Sequence, residues 1–163
     1  MTESQVVILG IGNLLFSDEG FGIRVIERLD AEYIFPDNVL VVDGGVLGIK
    51  LLGVMADADH LIVVDAVKNR QAPGTYYRLE QEQLPGRILM KNSLHQTDFL
   101  ETLTLCQALD KVPETVVLGV EPEDIQTFGI ELTETLNGRV DGMMERVLRE
   151  LDRLGVSYEK RSH

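Results

Sequence analysis

Four short apolar runs constrain this chain more than any other feature. They are VVILGI (6–11), VLVVDGG (39–45), HLIVVDAV (60–67) and TVVLGVEP (115–122). Each is rich in β-branched residues and apolar at successive positions, without polar alternation. Such strands demand burial on both faces, the situation of a parallel sheet covered by helices. Helical spacing fills the intervals. In GFGIRVIERLDAEY (20–33), Phe21, Val25 and Leu29 share one face while Arg24, Glu27 and Arg28 point elsewhere. A short helix is expected through Ile49, Leu52 and Met55, another over 97–110, and a long closing helix over 132–155. The segment GTYYRLE (74–80) alternates and reads as an edge or antiparallel strand. The pattern predicts a single α/β domain spanning 1–163, three layers thick, with a mostly parallel twisted sheet of about five strands between helices.

A chain of 163 residues suffices for one domain with a substantial core. Its net charge of −12 disfavours nucleic acid and anionic membrane surfaces, which are bound through concentrations of Lys and Arg. A cation or a basic polypeptide is the better electrostatic match. The single cysteine, Cys106, rules out an intrachain disulfide and fits a reducing, cytoplasmic setting. It falls on the apolar side of the 97–110 helix and is expected in the core. The N-terminus lacks the basic and apolar regions of a signal peptide. No apolar stretch approaches the ~20 residues that span a bilayer.

The first loop, LGIGNLLFSDEGFG (9–22), begins like a dinucleotide-binding turn and departs from it. Gly10 and Gly12 occupy the first two glycine positions, but Leu15 stands at the third. Asp18 and Glu19 then place negative charge where a phosphate would approach the helix start. The sequence has no serine-hydrolase elbow, no phosphate loop and no H-E-x-x-H helix. A Rossmann-like nucleotide-binding protein is therefore a secondary reading.

In open parallel sheets, sites form outside the carboxyl ends of the strands. The first strand is followed there by Asn13, Ser17, Asp18 and Glu19. The second ends in Asp43, Gly44 and Gly45, the third in Asp65, and the last is followed by Glu121 and Glu123. A polar loop over 90–98 contributes His95. Several of these have ordinary roles. Asp18 is expected as a helix N-cap, and Asp43 before two glycines as a turn residue. His60 starts the third strand, about 16 Å from Asp65 at ~3.3 Å per residue, and lies at the wrong end. Glu19 in a first helical turn and His95 in a polar loop have ordinary readings too, but taken together Glu19, Asp65 and His95 form a candidate metal site. Two carboxylates and one imidazole suit a divalent cation such as zinc, nickel or manganese, and three protein ligands leave positions for water or substrate.

At these residues the chain resembles the hydrogenase maturation proteases. GIGNLLFSDEGFG, VVDGG, ADHLIVVDAV, PGTYYRL, SLHQ and VVLGVEPE occur in family order across nearly all of 5–155. The resemblance implies an endopeptidase that removes the C-terminal extension of the nickel–iron hydrogenase large-subunit precursor once nickel is inserted. It also implies metal contact and catalysis at Glu19, Asp65 and His95. Some members carry Asp in place of Glu19, so the ligand length there varies. The implied metal is nickel, presented by the precursor, with zinc or cadmium as substitutes in vitro. The expected protein is a cytoplasmic monomer. A non-cleaving module that checks nickel loading is the other alternative.

Overall fold

The computed structural model describes residues 4–44, 53, 54, 56–80 and 113–162. Among them, β1 is Val6–Gly10, α1 is Phe21–Glu32, β2 is Tyr33–Ile34, β3 is Val39–Asp43, β4 is His60–Ala66, β5 is Tyr76–Glu80 and β6 is Glu114–Val120. Two helices follow, α2 (Glu134–Asn137) and α3 (Val140–Arg153), and then β7 (Glu159–Lys160). The main sheet has five strands in the order β3-β1-β4-β6-β5. β3, β1, β4 and β6 run parallel, and β5 pairs antiparallel with β6 at the edge. This is the single α/β architecture expected of the doubly buried runs. The expected antiparallel edge strand is β5.

Alternation along the strands sorts the core into two clusters. Val6 and Ile8 of β1, Ile62 and Val64 of β4, and Val116, Leu118 and Val120 of β6 face α1 and α3. Phe21, Val25, Leu29, Met143, Val147 and Leu151 of those helices are fully buried there. Val7 and Leu9, Leu61 and Val63, and Val117 line the other face. A period of two then puts Asp65 on that second face, at its carboxyl end.

The helix expected over 132–155 is broken. Helix α2 starts at Thr133, whose hydroxyl accepts the Leu136 N–H, and it ends at Gly138. Helix α3 begins after Arg139. Two tertiary bonds pin that junction: the Tyr76 hydroxyl donates to the Arg139 carbonyl at 2.8 Å, and Arg139 Nε donates to the Gly74 carbonyl at 2.9 Å. Glycine's poor helix propensity permits the break, and partners more than 60 positions away determine where the chain turns. Arg78 of β5 forks onto Glu150 of α3 at 2.6 and 3.2 Å, so the edge strand is tied to the same helix.

A second sheet did not register in the apolar pattern. β2 pairs antiparallel with β7, matching Tyr33 to Lys160 and Ile34 to Glu159. Two-residue strands carry no readable periodicity. The helix expected through Ile49, Leu52 and Met55 has those three residues outside the described part, while Gly53, Val54 and Ala56 are helical. The 97–110 helix and Cys106 also lie outside it. Among the described residues no helix is long and apolar enough to cross a membrane.

α1 lies against the sheet with no room for a side chain at Gly22. A Cβ there would stand 2.2 Å from the Val64 carbonyl oxygen and 2.5 Å from that of Ile11. Both obstacles are backbone, so neither yields cheaply. Gly22→Ala is therefore expected to destabilise the protein by roughly 1–3 kcal/mol, as for other overpacked sites. The midpoint of urea unfolding checks this, and an unchanged midpoint would contradict the close contact.

Candidate active site

The strand order creates a crevice. β1 is followed by a connection to β3 on one side, whereas β4 leads to β5 and β6 on the other. Adjacent strands whose onward connections diverge leave a gap between their carboxyl ends, the usual ligand position in such sheets. The loop bearing Glu19 follows β1, and Asp65 is the penultimate residue of β4. Gly22, three positions after Glu19, touches the carbonyl of Val64, the neighbour of Asp65. The fold thus brings the start of α1, which follows Glu19, close to the end of β4 that carries Asp65. Asp65 is 5% exposed and pairs in register with Gly119 of β6; Glu19 is half-buried. His95 lies outside the described residues. His60 is at the opposite, amino-terminal end of β4, beside Glu114 at 3.3 Å.

The loop between β1 and α1 is tightly folded. Asn13 accepts the Leu15 N–H on its side-chain oxygen and donates its own N–H to the Glu19 carbonyl. At Gly12 a Cβ would meet that same Glu19 carbonyl oxygen at 2.0 Å. The glycine therefore serves close packing of the loop onto itself. Ser17–Gly20 form a 3₁₀ turn. Ser17 takes left-handed backbone (φ 49°) without being glycine. It is held there by its N–H to the Gly129 carbonyl and its hydroxyl to the Glu131 carbonyl, at 2.8 and 2.9 Å.

Asp18 is not the N-cap expected of it. Gly20 occupies the N-cap position of α1, with no side-chain cap. The Asp18 carboxylate is instead fully buried and faces the loop that follows β6. It accepts the N–H groups of Glu123 (2.8 Å), Asp124 (2.9 Å) and Thr133 (2.8 Å), and the Thr133 hydroxyl at 3.0 Å. Its partners lie 105 to 115 positions away, so no local signal identifies this role. Glu121 does similar work on the other side. It is 4% exposed, and its Oε1 accepts the N–H groups of Asn69 and Gln71 and the Tyr77 hydroxyl, fastening the loop after β4. Asp124 shapes the next turn by accepting the N–H groups of Gln126 and Thr127. Hydrogen bonding from Thr127, followed by that from Gln126, holds its carboxyl below the usual range.

The acids at this edge therefore divide by environment. Asp18 and Glu121 are consumed by backbone N–H groups and hold loops in place. Glu19 is half-buried in the loop after β1, and Asp65 is buried near the carboxyl end of β4. Carboxylates at neighbouring strand ends are suited to cation contact and to proton transfer during hydrolysis.

Comparison with known families assigns the architecture. The hydrogenase maturation protease family matches residues 23–150. The chain belongs to this family. Among curated hydrogenase maturation proteases, it is 39% identical over 154 residues to the hydrogenase 2 maturation protease of Escherichia coli K12, covering 93% of each chain. It is 41% identical over 158 residues to the hydrogenase expression/formation protein HoxM of Azotobacter vinelandii, covering 96% of this chain and 76% of that one. The solved structure of the hydrogenase maturating endopeptidase HybD from Escherichia coli superposes with a TM-score of 0.91 at 37% identity, covering 96% and 98% of the two chains. As a hydrogenase maturation endopeptidase, the protein is a hydrolase.

Asp18→Asn separates anchor from cap. Asn and Asp cap helices about equally well, so a capping role predicts almost no change. In the buried anchor, an amide nitrogen would confront donors that need an acceptor. The expected loss is at least about 2 kcal/mol, from backbone N–H groups left unsatisfied. Chemical unfolding of the variant distinguishes the two, and wild-type stability would return Asp18 to a capping role.

Proposed function

We propose that this endopeptidase removes the C-terminal extension of a nickel–iron hydrogenase large-subunit precursor after nickel insertion. It acts as a cytoplasmic monomer and uses Glu19, Asp65 and His95. The observation carrying this reading is that the loop bearing Glu19 follows β1 while Asp65 stands near the carboxyl end of the adjacent β4. Membership of the family supports the class of substrate.

The chemistry follows from the donor set. Two carboxylates and an imidazole match a borderline divalent cation. They lack the thiolates or the helical histidine pair with which proteins commonly hold zinc by themselves. Nickel is here part of the substrate. Seated in the precursor, it docks against the three side chains and brings the scissile peptide to the crevice. As a Lewis acid it polarises the scissile carbonyl or a bound water. A carboxylate of the pair takes the proton from the attacking water and passes it to the scissile nitrogen as the C–N bond breaks, so the C-terminal extension leaves as a free amine. Positioning of this kind can carry roughly 7–11 kcal/mol of a barrier in favourable cases. A precursor without nickel lacks the link between peptide and acids.

Incubating the protein with nickel-loaded precursor, nickel-free precursor and the isolated C-terminal peptide tests the reading, with products weighed by mass spectrometry. Only the loaded precursor should be shortened. Cutting of nickel-free precursor by metal-stripped enzyme would overturn nickel gating and leave the protease assignment standing.

The ligand set is tested by substitution. His95→Ala is expected to abolish processing while the unfolding midpoint stays within about 0.5 kcal/mol of wild type, as for substitutions in polar loops. Glu19→Gln should remove the binding of nickel, zinc or cadmium seen by calorimetry. Wild-type cleavage by the first variant, or unchanged metal binding by the second, would take that residue out of the site.

A further inference from the structure

The loop that carries Glu19 also carries an apolar surface. Large hydrophobic side chains exposed to solvent include Leu15 at 48%, Phe128 at 74% and Ile130 at 63%. These three converge from two segments that are zipped together. The Gly129 N–H donates to the Leu15 carbonyl and the Ser17 N–H to the Gly129 carbonyl, both at 2.8 Å. Phe16 packs edge-on against Phe128, with ring centroids 5.9 Å apart at 88°. Arg24 Nη2 donates to the Ile130 carbonyl at 2.9 Å. Beneath them the Asp18 carboxylate clamps both ends of the segment, at Glu123–Asp124 and at Thr133. Isolated exposed apolar residues need no explanation; a cluster of them does. This cluster is held out in water by backbone bonds on both strands of the zipper, so little freedom is left to lose on binding.

Two further features identify the occupant. The surface is built on the loop that carries Glu19, because Leu15 and Glu19 belong to one fold closed by the Asn13–Glu19 hydrogen bond. Its rim is acidic: Glu123, Glu131 and Glu134 are exposed on the same connection. The Arg24 guanidinium at this rim is engaged with the Ile130 carbonyl and Glu27. An apolar centre inside a charged rim is the anatomy of a protein interface, and an acidic rim selects a basic counterpart.

We propose that Leu15, Phe128 and Ile130 form a docking face for the precursor itself, engaging an apolar segment flanked by basic residues away from the scissile bond. The inference rests on the cleavage reading above and assigns that substrate a second point of contact. The nickel-bearing end enters the crevice while the folded body of the precursor is gripped by this face. Contact remote from the reacting bond is equally strong in ground state and transition state, so it lowers KM and leaves kcat alone.

Steady-state cleavage of nickel-loaded precursor by the full-length Phe128→Ser/Ile130→Ser variant tests this, alongside Phe128→Leu and sedimentation of the wild type. The double variant should raise KM roughly tenfold or more, the scale of a lost interface anchor. Its kcat should stay within about twofold, because uniform binding alone is removed. Phe128→Leu, which keeps an apolar contact, should retain a KM near wild type. An unchanged KM in the double variant overturns the docking face, as does a fall in kcat at constant KM. A wild-type dimer that the double variant dissolves overturns it in favour of a second copy of this chain. Failure of the wild type to shorten the precursor at all would instead sink the cleavage reading, which separates the two.

Discussion

A single buried carboxylate organises the functional end of this molecule. Asp18 has no solvent contact and takes its hydrogen bonds from the backbone of a segment more than 100 residues away. Charge-assisted bonds of this kind are each worth about 1.5–3 kcal/mol. The exposed ion pair between Arg28 and Asp141, with side chains 46% and 82% exposed, contributes at most ~1 kcal/mol. The comparison decides which contact matters. The Arg28 pair ornaments the surface between α1 and α3, whereas the Asp18 bonds join the first loop to the last and hold both at the sheet's carboxyl end.

The rest of the site inherits its geometry from that junction and from the parallel sheet. Gly22 lets α1 rest on the Val64 and Ile11 carbonyls. The start of the helix, with Glu19 just before it, is thereby brought beside Asp65. The divergence of the connections after β1 and β4 leaves the crevice open between them.

Neighbouring acids in one sequence carry different duties because their surroundings differ. Asp18 and Glu19 are adjacent, yet one is fully buried against backbone donors and the other is only half-buried. Glu121 and Glu123 are two apart, and they too separate: Glu121 is buried under Asn69, Gln71 and Tyr77, while Glu123 is exposed and meets the Thr135 hydroxyl. Charge at a strand end is thus an ambiguous signal. It marks either the residue that acts or the residue that holds the acting loop in place.

The sequence by itself determined the class of fold, because uninterrupted β-branched runs such as HLIVVDAV are stable only with both faces covered. It also pointed to one end of the sheet, because each of the four parallel runs carries Gly, Asp or Glu at or beside its carboxyl end. Asp65 was legible as a carboxylate closing a doubly buried strand, and Glu19 as an acid where a nucleotide loop would refuse one. Only the tertiary structure decided that Asp18 is an anchor, that Glu121 fastens the loop after β4, and that the closing helix breaks at Gly138–Arg139. It alone paired β2 with β7 and brought Phe128 against Phe16. The physical reason is range. Periodicity and capping report on neighbours within about one helical turn or one strand, whereas these features depend on partners 44 to 127 residues distant, visible only once the chain has closed.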